Sequence, residues 1–434
     1  MKKAILLSLE VDRQADGRKS LGNASILASL DSHNIPVKNI IIAVNSDDFN
    51  VNRITEEVII YIKRHESSGD DCFLCLGLYV WNEESSQTLI RQVKQRTNAT
   101  IILGGPQVSY ASKGKLEAAY PGVDIFIRGY GEKALVAAIE GQHENVAGIH
   151  LAGLPDKGLQ ADHSLEDLPS PYITGLLPIV SSIHWETQRG CPYACEFCQH
   201  KSADNRHKVK TFSYEILEEE ARLFAQANVK RISILDPIFH HSEGHALRVL
   251  QILKDAGVKA EISLQCRLEM LTNDFLDALN GLKVDLEFGL QTAIRSESLL
   301  IRRGNNMKTA AQKLKQLKQR QIPFEISLIY GLPSQTLESF KRSIDWCHQH
   351  GVTRIKAWPL MLLRGTALYE RKEEFGFVES DEAIPLVIQS NTCSIEDNKK
   401  MAELANQLNL GQLEPNHLLA PEYGVEQDVI FYRA

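Results

Sequence analysis

The chain has 434 residues, of which 43 % are hydrophobic and 24 % charged, a composition typical of a globular protein with two or three hydrophobic cores. The net charge of −7, without a basic run, disfavours a protein built only to bind nucleic acid, although a folded basic pocket for a tRNA stays open. No stretch approaches the roughly eighteen apolar residues of a membrane span, and the run at 4–9 meets charged residues too soon for a signal peptide. Eight cysteines are too few for a disulfide scaffold in a chain of this length, so we expect a cytoplasmic protein with no membrane partner.

The first 150 residues alternate between apolar runs and segments with helical periodicity. The runs predicted to be strands are 4–9, 39–44, 72–80, 100–105 and 124–129. The segments predicted to be helices are 21–33, 52–65, 84–95 and 131–140. Continuous apolar strands separated by amphipathic helices are typical of a parallel sheet that is covered on both faces. We therefore predict an α/β fold in which residues 1–150 form a flavodoxin-like or Rossmann-like domain.

The second half of the chain repeats this alternation after a break. Residues 151–180 are rich in Pro, Gly, Asp and Ser, which predicts a linker. Beyond it, strands are predicted at 182–188, 231–235, 260–265, 284–290, 324–330 and 354–360. Six βα units favour a partial (βα)6 TIM barrel over residues 181–370 rather than a complete eightfold barrel. Residues 371–434 are predicted to be a short helical region and a tail, with the clearest helix at 395–409.

Three cysteines follow the first predicted barrel strand with the spacing C-x3-C-x2-C: Cys191, Cys195 and Cys198. In a βα barrel this is the catalytic end of the strand, and thiolates favour zinc or iron–sulfur clusters. A structural zinc site would require a fourth ligand, for which His200 is close enough in sequence. A [4Fe–4S] cluster held by three cysteines leaves one iron without a protein ligand, which suits chemistry at that iron.

This cysteine motif, with "RGCP" at its start and Phe197 before the last cysteine, resembles the radical S-adenosylmethionine (SAM) family. The resemblance covers about 180–370. It implies that the three cysteines hold a [4Fe–4S] cluster, whose open iron takes the amino and carboxylate groups of SAM. One electron, from a donor such as flavodoxin or ferredoxin, would then cleave SAM to a 5′-deoxyadenosyl radical.

The same resemblance implies a set of SAM-binding residues at the ends of the later barrel strands: Asp236, Gln265, Arg267, Gln291, Thr292 and Gly331. The planar guanidinium of Arg267 could pair with the SAM carboxylate, and Gln291 and Thr292 could reach the ribose hydroxyls. The glycine-rich stretch around Gly331 resembles the family's adenine-contacting loop, but Ser327 and Ser334 stand where Gly and Glu are common. The alternative for each residue is a solvated polar group at a strand end.

The first half resembles the cobalamin-binding domain that precedes many radical SAM barrels. The stretches that carry this resemblance are "LYVWNEE", "ILGGPQVSY" and "DIFIRGYGE", residues 78–84, 102–110 and 124–132. The resemblance implies cobalamin contacts at Gly104, Gly105, Gly129, Gly131 and Glu132. The stretch "DSHNIP" contains His33 in part of a cobalt-ligating motif, but it ends the first predicted helix instead of following the first strand. We therefore expect no cobalt ligand from it.

Together the two resemblances imply a cobalamin-dependent radical SAM enzyme that methylates an unactivated carbon of a small molecule or natural product. One alternative keeps both cofactors but catalyses a cyclisation or rearrangement without methyl transfer. A second is a radical SAM enzyme whose first domain is a relict that binds no cobalamin. A third, from a different class, is a non-catalytic iron–sulfur or zinc protein.

Overall fold

The computed structural model describes residues 1–12, 20–200 and 209–413, and the chain divides into two compact units, Met1–Ser182 and Ile183–Ala434. Both units are α/β, which confirms the predicted fold class. Within the described residues, no helix is long and apolar enough to cross a membrane.

The first unit contains a six-stranded sheet with helices between its strands. Its strands are β1 (Lys2–Glu10), β2 (Val37–Ala43), β3 (Asp71–Gly77), β4 (Thr100–Gly104), β5 (Ile125–Ile127) and β6 (Ile149–Leu151). Its helices are α1 (Leu21–Ser32), α2 (Val51–Glu66), α3 (Glu83–Arg96), α4 (Pro106–Ser109), α5 (Leu116–Ala119) and α6 (Gly131–Glu140). The strand order is β2-β1-β3-β4-β5-β6, in which β1 to β5 are parallel and β6 is antiparallel to β5. The first five strands therefore have the flavodoxin-like order.

Both faces of this sheet are buried, as its continuous apolar strands predict. On β1, Ile5 and Leu7 pack into one hydrophobic cluster with residues of α2 and α3. The alternate residues Ala4 and Leu6 pack into a second cluster with residues of α1 and α6. Successive side chains of a strand point to opposite faces, so each face of the sheet has its own core.

The chain after β6 stays attached to the first unit through a buried ion pair. Arg128, which follows β5, donates to Asp156 Oδ2 at 2.7 Å, and both side chains are 3 % exposed. The same guanidinium donates to the backbone carbonyls of Val108 in α4 (3.0 Å) and Ala111 in the loop after it (2.7 Å). A backbone bond from Ala161 N–H to the Arg128 carbonyl (2.7 Å) adds a second attachment. Part of the segment predicted as a linker thus packs on the first sheet.

The second unit contains a six-stranded sheet with the sequential order β7-β10-β11-β12-β13-β14. These strands are β7 (Ser182–Trp185), β10 (Arg231–Ile234), β11 (Glu261–Cys266), β12 (Lys283–Gln291), β13 (Phe324–Tyr330) and β14 (Ile355–Pro359). The pairs from β10 to β14 are parallel, so their carboxyl ends meet at one edge of the sheet. This order is that of the predicted partial barrel.

Helices connect these strands, and short ribbons complete the unit. The helices are α7 (Tyr214–Gln226), α8 (Glu243–Asp255), α9 (Asn273–Ala278), α10 (Arg295–Leu300), α11 (Met307–Gln319), α12 (Leu337–Gln349), α13 (Ala367–Glu370) and α14 (Ile395–Asn409). The two antiparallel ribbons pair β8 (Gln188–Arg189) with β9 (Lys210–Thr211), and β15 (Val378–Glu379) with β16 (Val387–Gln389). The first ribbon brackets the three-cysteine loop.

The last described helix covers the edge of the second sheet. The Ala357 N–H of β14 donates to Asn409 Oδ1 at 2.9 Å, and Asn409 Nδ2 donates to the Ala357 carbonyl at 3.0 Å. Lys356 Nζ donates to the Asn409 carbonyl at 2.6 Å. One asparagine side chain at the end of α14 thus forms with Ala357 the pair of bonds that a neighbouring strand would form.

Candidate active site

The three cysteines of the second unit lie on one loop between β8 and β9, and none is in a disulfide. The Cys198 N–H donates to the Cys195 carbonyl at 3.2 Å, and the His200 N–H lies 3.4 Å from Cys198 Sγ. Burial and the nearby thiols of Cys195 and Cys191 together raise the pKa of Cys198 to about 11, although the hydrogen bond from the His200 N–H opposes the rise. The three thiols are therefore close enough to influence one another electrostatically.

The loop is held in place around Glu196. Its N–H donates to the Ile301 carbonyl at 3.0 Å, and its carbonyl accepts from the Leu368 N–H at 3.0 Å. Its carboxylate lies 2.8 Å from Arg302 Nε and 3.6 Å from Arg371 Nη1, and the Glu196 side chain is only 6 % exposed. Segments more than 100 residues away thus fix the backbone between the second and third cysteines.

Arg303 is a residue near the cysteines that the sequence patterns did not single out. Its Nη1 lies 3.8 Å from Cys195 Sγ, and its Nη2 donates to the backbone carbonyl of Gly289 at the end of β12. A guanidinium at this distance would offset the negative charge of an anionic cluster. The sequence signal was an Arg302–Arg303 pair before a glycine, which by itself predicts only an exposed turn.

Arg267 contacts Tyr193 of the cysteine loop and is 5 % exposed. Its guanidinium is stacked on the Tyr193 ring, 4.0 Å from the ring centre, and its Nη2 donates to the Gly304 carbonyl at 3.2 Å. Burial lowers the pKa of Arg267, and the neighbouring positive charge of Arg303 lowers it further. Two close cations at a buried site favour an anionic ligand, and the predicted pairing of Arg267 with the SAM carboxylate stays a prediction.

The cysteine loop fits a cluster better than a single ion. Across residues 1–12, 20–200 and 209–413, no three His, Cys, Asp or Glu side chains surround a point where one metal ion could bind. A structural zinc site requires four ligands around one ion. A [4Fe–4S] cluster is several ångströms wide and bonds its cysteines through different irons, so its ligands stand farther apart. The three cysteines of the loop are thiol donors of the kind that such a cluster uses, and Arg303 lies beside one of them.

Asp236, the first of the predicted SAM residues, lies at the end of β10 and is fully buried. Its Oδ1 accepts from the N–H groups of Thr187 (2.8 Å) and Gln188 (3.2 Å), and its Oδ2 accepts from the Thr187 hydroxyl. Burial raises the pKa of Asp236 to about 7, although these hydrogen bonds oppose the rise. Both carboxyl oxygens thus hold the backbone that leads into the cysteine loop, and a direct contact with SAM stays untested.

The remaining predicted SAM residues differ in what their side chains contact. Gln265 is exposed and Gln291 is half-buried, and neither side chain bonds to another described residue. The Thr292 hydroxyl donates instead to the buried carboxylate of Glu297 at 2.6 Å. The Gly331 N–H donates to Gln335 Oε1 at 2.7 Å. All lie at the carboxyl edge of the second sheet, where barrel enzymes bind their substrates.

The glycines predicted to contact cobalamin lie at the carboxyl ends of β4 and β5 in the first unit. Gly105 has φ +91°, and a Cβ there would lie 2.6 Å from the Leu78 nitrogen. Gly129 has φ +86°, and a Cβ there would lie 2.4 Å from the Ala161 carbonyl oxygen. At both positions the chain's own backbone requires glycine, whether or not a ligand binds. Gly104 differs, because the nearest atom to its Cβ position is 3.6 Å away.

Two further positions of the first unit belong to the start of α6 and the end of α1. Gly131 opens α6, and Glu132 is 5 % exposed, with its carboxylate 3.6 Å from His163 Nε2. His33 caps α1, and its Nδ1 lies 2.9 Å from the Ser29 carbonyl oxygen. The prediction that His33 ends a helix is confirmed. Contacts of Gly131 and Glu132 with cobalamin stay predictions.

Two family models match separate parts of the chain. The model described as "B12 binding domain" matches residues 19–139, and the model described as "Radical SAM superfamily" matches residues 185–347. The two matched segments lie in the first and second units respectively. The second match contains the three-cysteine loop.

Curated relatives and solved structures extend these matches. A 2-(S-pantetheinyl)-carbapenam-3-carboxylate methyltransferase of Streptantibioticus cattleyicolor is 27 % identical over 305 residues, 63 % of this chain and 44 % of that protein. The cobalamin-dependent radical SAM methyltransferase TokK of Streptomyces tokunonensis is 28 % identical over 302 residues, 62 % of this chain and 44 % of that protein. The matches thus span less than half the length of these two relatives. A similar solved structure is that of the radical SAM methyltransferase TsrM from Kitasatospora setae, which has cobalamin and a [4Fe–4S] cluster bound. It superposes on this chain with a TM-score of 0.65 at 14 % identity, and the match covers 89 % of this chain and 82 % of TsrM. At that identity the superposition supports the fold.

Proposed function

Because this chain belongs to the radical SAM proteins that carry an N-terminal B12-binding domain, we propose that it is a cobalamin-dependent methyltransferase acting on an unactivated carbon. The two domains imply three cofactors: a [4Fe–4S] cluster, SAM and cobalamin. When bound, they supply radical formation and methyl transfer, while the protein orients them and excludes water. The methyltransferase activities of two curated relatives favour methyl transfer over cyclisation or rearrangement.

The observation that carries the proposal is the three-cysteine loop with Arg303 beside Cys195 Sγ. Its cysteines would hold the cluster, and the loop's backbone anchors at Glu196 would keep their spacing fixed. Among the residues at the carboxyl edge, Gln265 and Gln291 have side chains free of hydrogen bonds to the described residues and would contact SAM. Asp236, by contrast, would act by holding the strand that leads into the loop.

The substrate, the electron donor and the location are further parts of the proposal. One curated relative is a 2-(S-pantetheinyl)-carbapenam-3-carboxylate methyltransferase, which supports a small-molecule or natural-product substrate. Cleavage of SAM requires an electron, so we propose a flavodoxin or ferredoxin as its donor. All eight cysteines are free, five of them outside the cysteine loop, which suits the reducing cytoplasm.

The test is anaerobic reconstitution with iron, sulfide and cobalamin, followed by reduction in the presence of SAM. We expect about four irons per chain, uptake of cobalamin, and formation of 5′-deoxyadenosine. Replacing Cys191, Cys195 and Cys198 together by Ala should abolish iron binding and 5′-deoxyadenosine formation. The matched control is Cys347→Ala, since Cys347 is also buried but lies on α12, and it should retain both.

Two results would redirect the proposal. Iron binding that survives the triple cysteine replacement would contradict the cluster assignment. A protein that cleaves SAM but takes up no cobalamin, even when refolded with it, would favour the relict-domain alternative. That alternative has one observation in its favour, because Gly105 and Gly129 are required by the chain's own backbone.

A further inference from the structure

The loops that follow β12 and β13 are joined through one buried carboxylate, and we propose that Glu297 is a positioning residue for the adenosyl half of SAM. This inference rests on the proposed function. Glu297 lies on α10 and is 1 % exposed. Its Oε2 accepts from the Thr292 hydroxyl at 2.6 Å and from Gln335 Nε2 at 3.4 Å, and its Oε1 accepts from the Ser339 hydroxyl. One carboxylate therefore bonds to the loop after β12, the loop after β13 and helix α12.

Gln335 transmits this attachment to the backbone of the loop after β13. Its side chain is fully buried, and its Oε1 accepts from the N–H groups of Gly331 (2.7 Å) and Leu332 (3.2 Å). Its Nε2 donates to the Ile329 carbonyl at 3.1 Å as well as to Glu297. The backbone of the stretch predicted to contact adenine therefore hydrogen-bonds to the side-chain amide of Gln335, and Glu297 orients that amide.

The loop after β12 is held at the other end of the same network. The Thr292 hydroxyl accepts from the Ile294 N–H at 3.0 Å, and Asn305 Nδ2 donates to the carbonyls of Leu290 (2.8 Å) and Thr292 (3.2 Å). Between these anchors, Gln291 has φ +71°, a conformation rarely adopted by residues other than glycine. Such a conformation persists only where its surroundings over-determine it, and it concentrates at functional sites.

Burying the Glu297 carboxylate costs free energy, and this cost argues against a purely structural role for Glu297. Burial raises the pKa of Glu297, and the hydrogen bonds of Ser339, Thr292 and Gln335 oppose that rise only in part. An apolar side chain of similar size would join α10 to α12 without a buried ionisable group. A carboxylate adds directional bonds that fix two loops relative to each other. Those loops carry Gln291 and Gly331, the residues predicted to contact ribose and adenine.

The test compares Glu297→Gln and Glu297→Ala with Glu220→Gln in the reconstituted full-length protein. Glu220 is a matched control, because it is a buried carboxylate of the same unit whose Oε2 accepts from Trp185 Nε1 at 2.6 Å, away from both loops. The measurements are the melting temperature and the rate of 5′-deoxyadenosine formation as a function of SAM concentration. We expect the KM for SAM to rise about threefold in Glu297→Gln and about tenfold in Glu297→Ala, while Glu220→Gln leaves it unchanged.

A fall in melting temperature with an unchanged KM for SAM in both Glu297 variants would overturn the inference, and so would an equal rise of KM in Glu220→Gln. If Glu297→Ala does not fold, Ser343→Ala provides a milder change, since the Ser343 hydroxyl accepts from the Ala293 N–H at 3.1 Å and lies 3.3 Å from Thr292 Oγ1. It should also raise the KM for SAM. If the unaltered protein forms no 5′-deoxyadenosine, the proposed function itself fails, which is a different outcome from variants that behave like it.

Discussion

Replacing Asp156 by Asn should destabilise the first unit strongly, because it leaves the buried Arg128 guanidinium without its counter-ion. Asp156 Oδ2 accepts from Arg128 Nη2 at 2.7 Å and from the Gly114 N–H at 2.9 Å, and its Oδ1 accepts from the Gly158 N–H at 2.8 Å. Breaking a buried ion pair from one side typically costs about 3–5 kcal/mol. The end of α4 and the loop after it, residues 108–112, should loosen together with residues 156–158, since the same arginine holds both.

The pH dependence of stability gives a second measure of how much Asp156 contributes to the free energy of unfolding. Burial by itself would raise the pKa of Asp156, but the Gly114 N–H, the Arg128 guanidinium and the Gly158 N–H together lower it from 3.8 to about 2. This difference corresponds to roughly 2.5 kcal/mol of the free energy of unfolding. Because the folded-state pKa is depressed, the contribution is complete above about pH 4 and is lost as the pH falls through 2. The Asn variant should lack this component of the pH dependence.

The assay is urea unfolding of the full-length chain, followed by pulsed hydrogen exchange and mass spectrometry so that each unit is measured separately. The control is Asp167→Asn, which removes an exposed pair with Lys133 in the same unit and should cost less than about 1 kcal/mol. Equal losses in the two variants would refute the reasoning. A wild-type-like fall in stability between pH 4 and pH 2 in the Asp156 variant would refute it as well.

Four further substitutions test individual residues of the two units. Arg267→Ala should weaken SAM binding by roughly 1.5–3 kcal/mol, measured as the SAM dissociation constant; an unchanged constant with lower iron content would instead assign Arg267 to holding Tyr193. His33→Ala should leave the absorption spectrum of bound cobalamin unchanged, because His33 only caps α1, and a shifted spectrum would contradict this. Gly104→Val should reduce cobalamin uptake with little change in melting temperature, whereas Gly105→Ala should lower the melting temperature because it has no room for a Cβ. Equal melting temperatures in the two glycine variants would speak against that distinction.

The sequence predicted the strands of both sheets well, since a strand buried on both faces is a continuous apolar run. The predictions at 39–44 and 324–330, for example, correspond to β2 at Val37–Ala43 and β13 at Phe324–Tyr330. The short strand β6 was missed, because three residues at a sheet edge leave no such run. The cysteine spacing was equally readable, because all three cysteines lie on one loop.

The residues that surround the cysteine loop could not be predicted from the sequence, because they come from distant parts of the chain. Arg303 is 108 residues from Cys195, and Glu297 is 42 residues from Ser339, so neither contact leaves a local pattern. The glycines show a different limit. A glycine indicates that something approaches the backbone closely, but not whether that partner is a ligand or, as at Gly105, the chain itself.

The asparagine that pairs with β14 has a consequence for how the protein behaves in concentrated solution. An open parallel sheet exposes unpaired N–H and C=O groups along its outermost strand, and such a row is a template for strand addition by another copy. Asn409 satisfies both groups of Ala357, and it lies at the last turn of a helix that begins only at Ile395. A chain shortened before α14 would keep its cysteines and most of its barrel. The N–H and C=O groups of Ala357 at the edge of the sheet would then have lost their Asn409 partner. We expect that edge to promote self-association of such a chain.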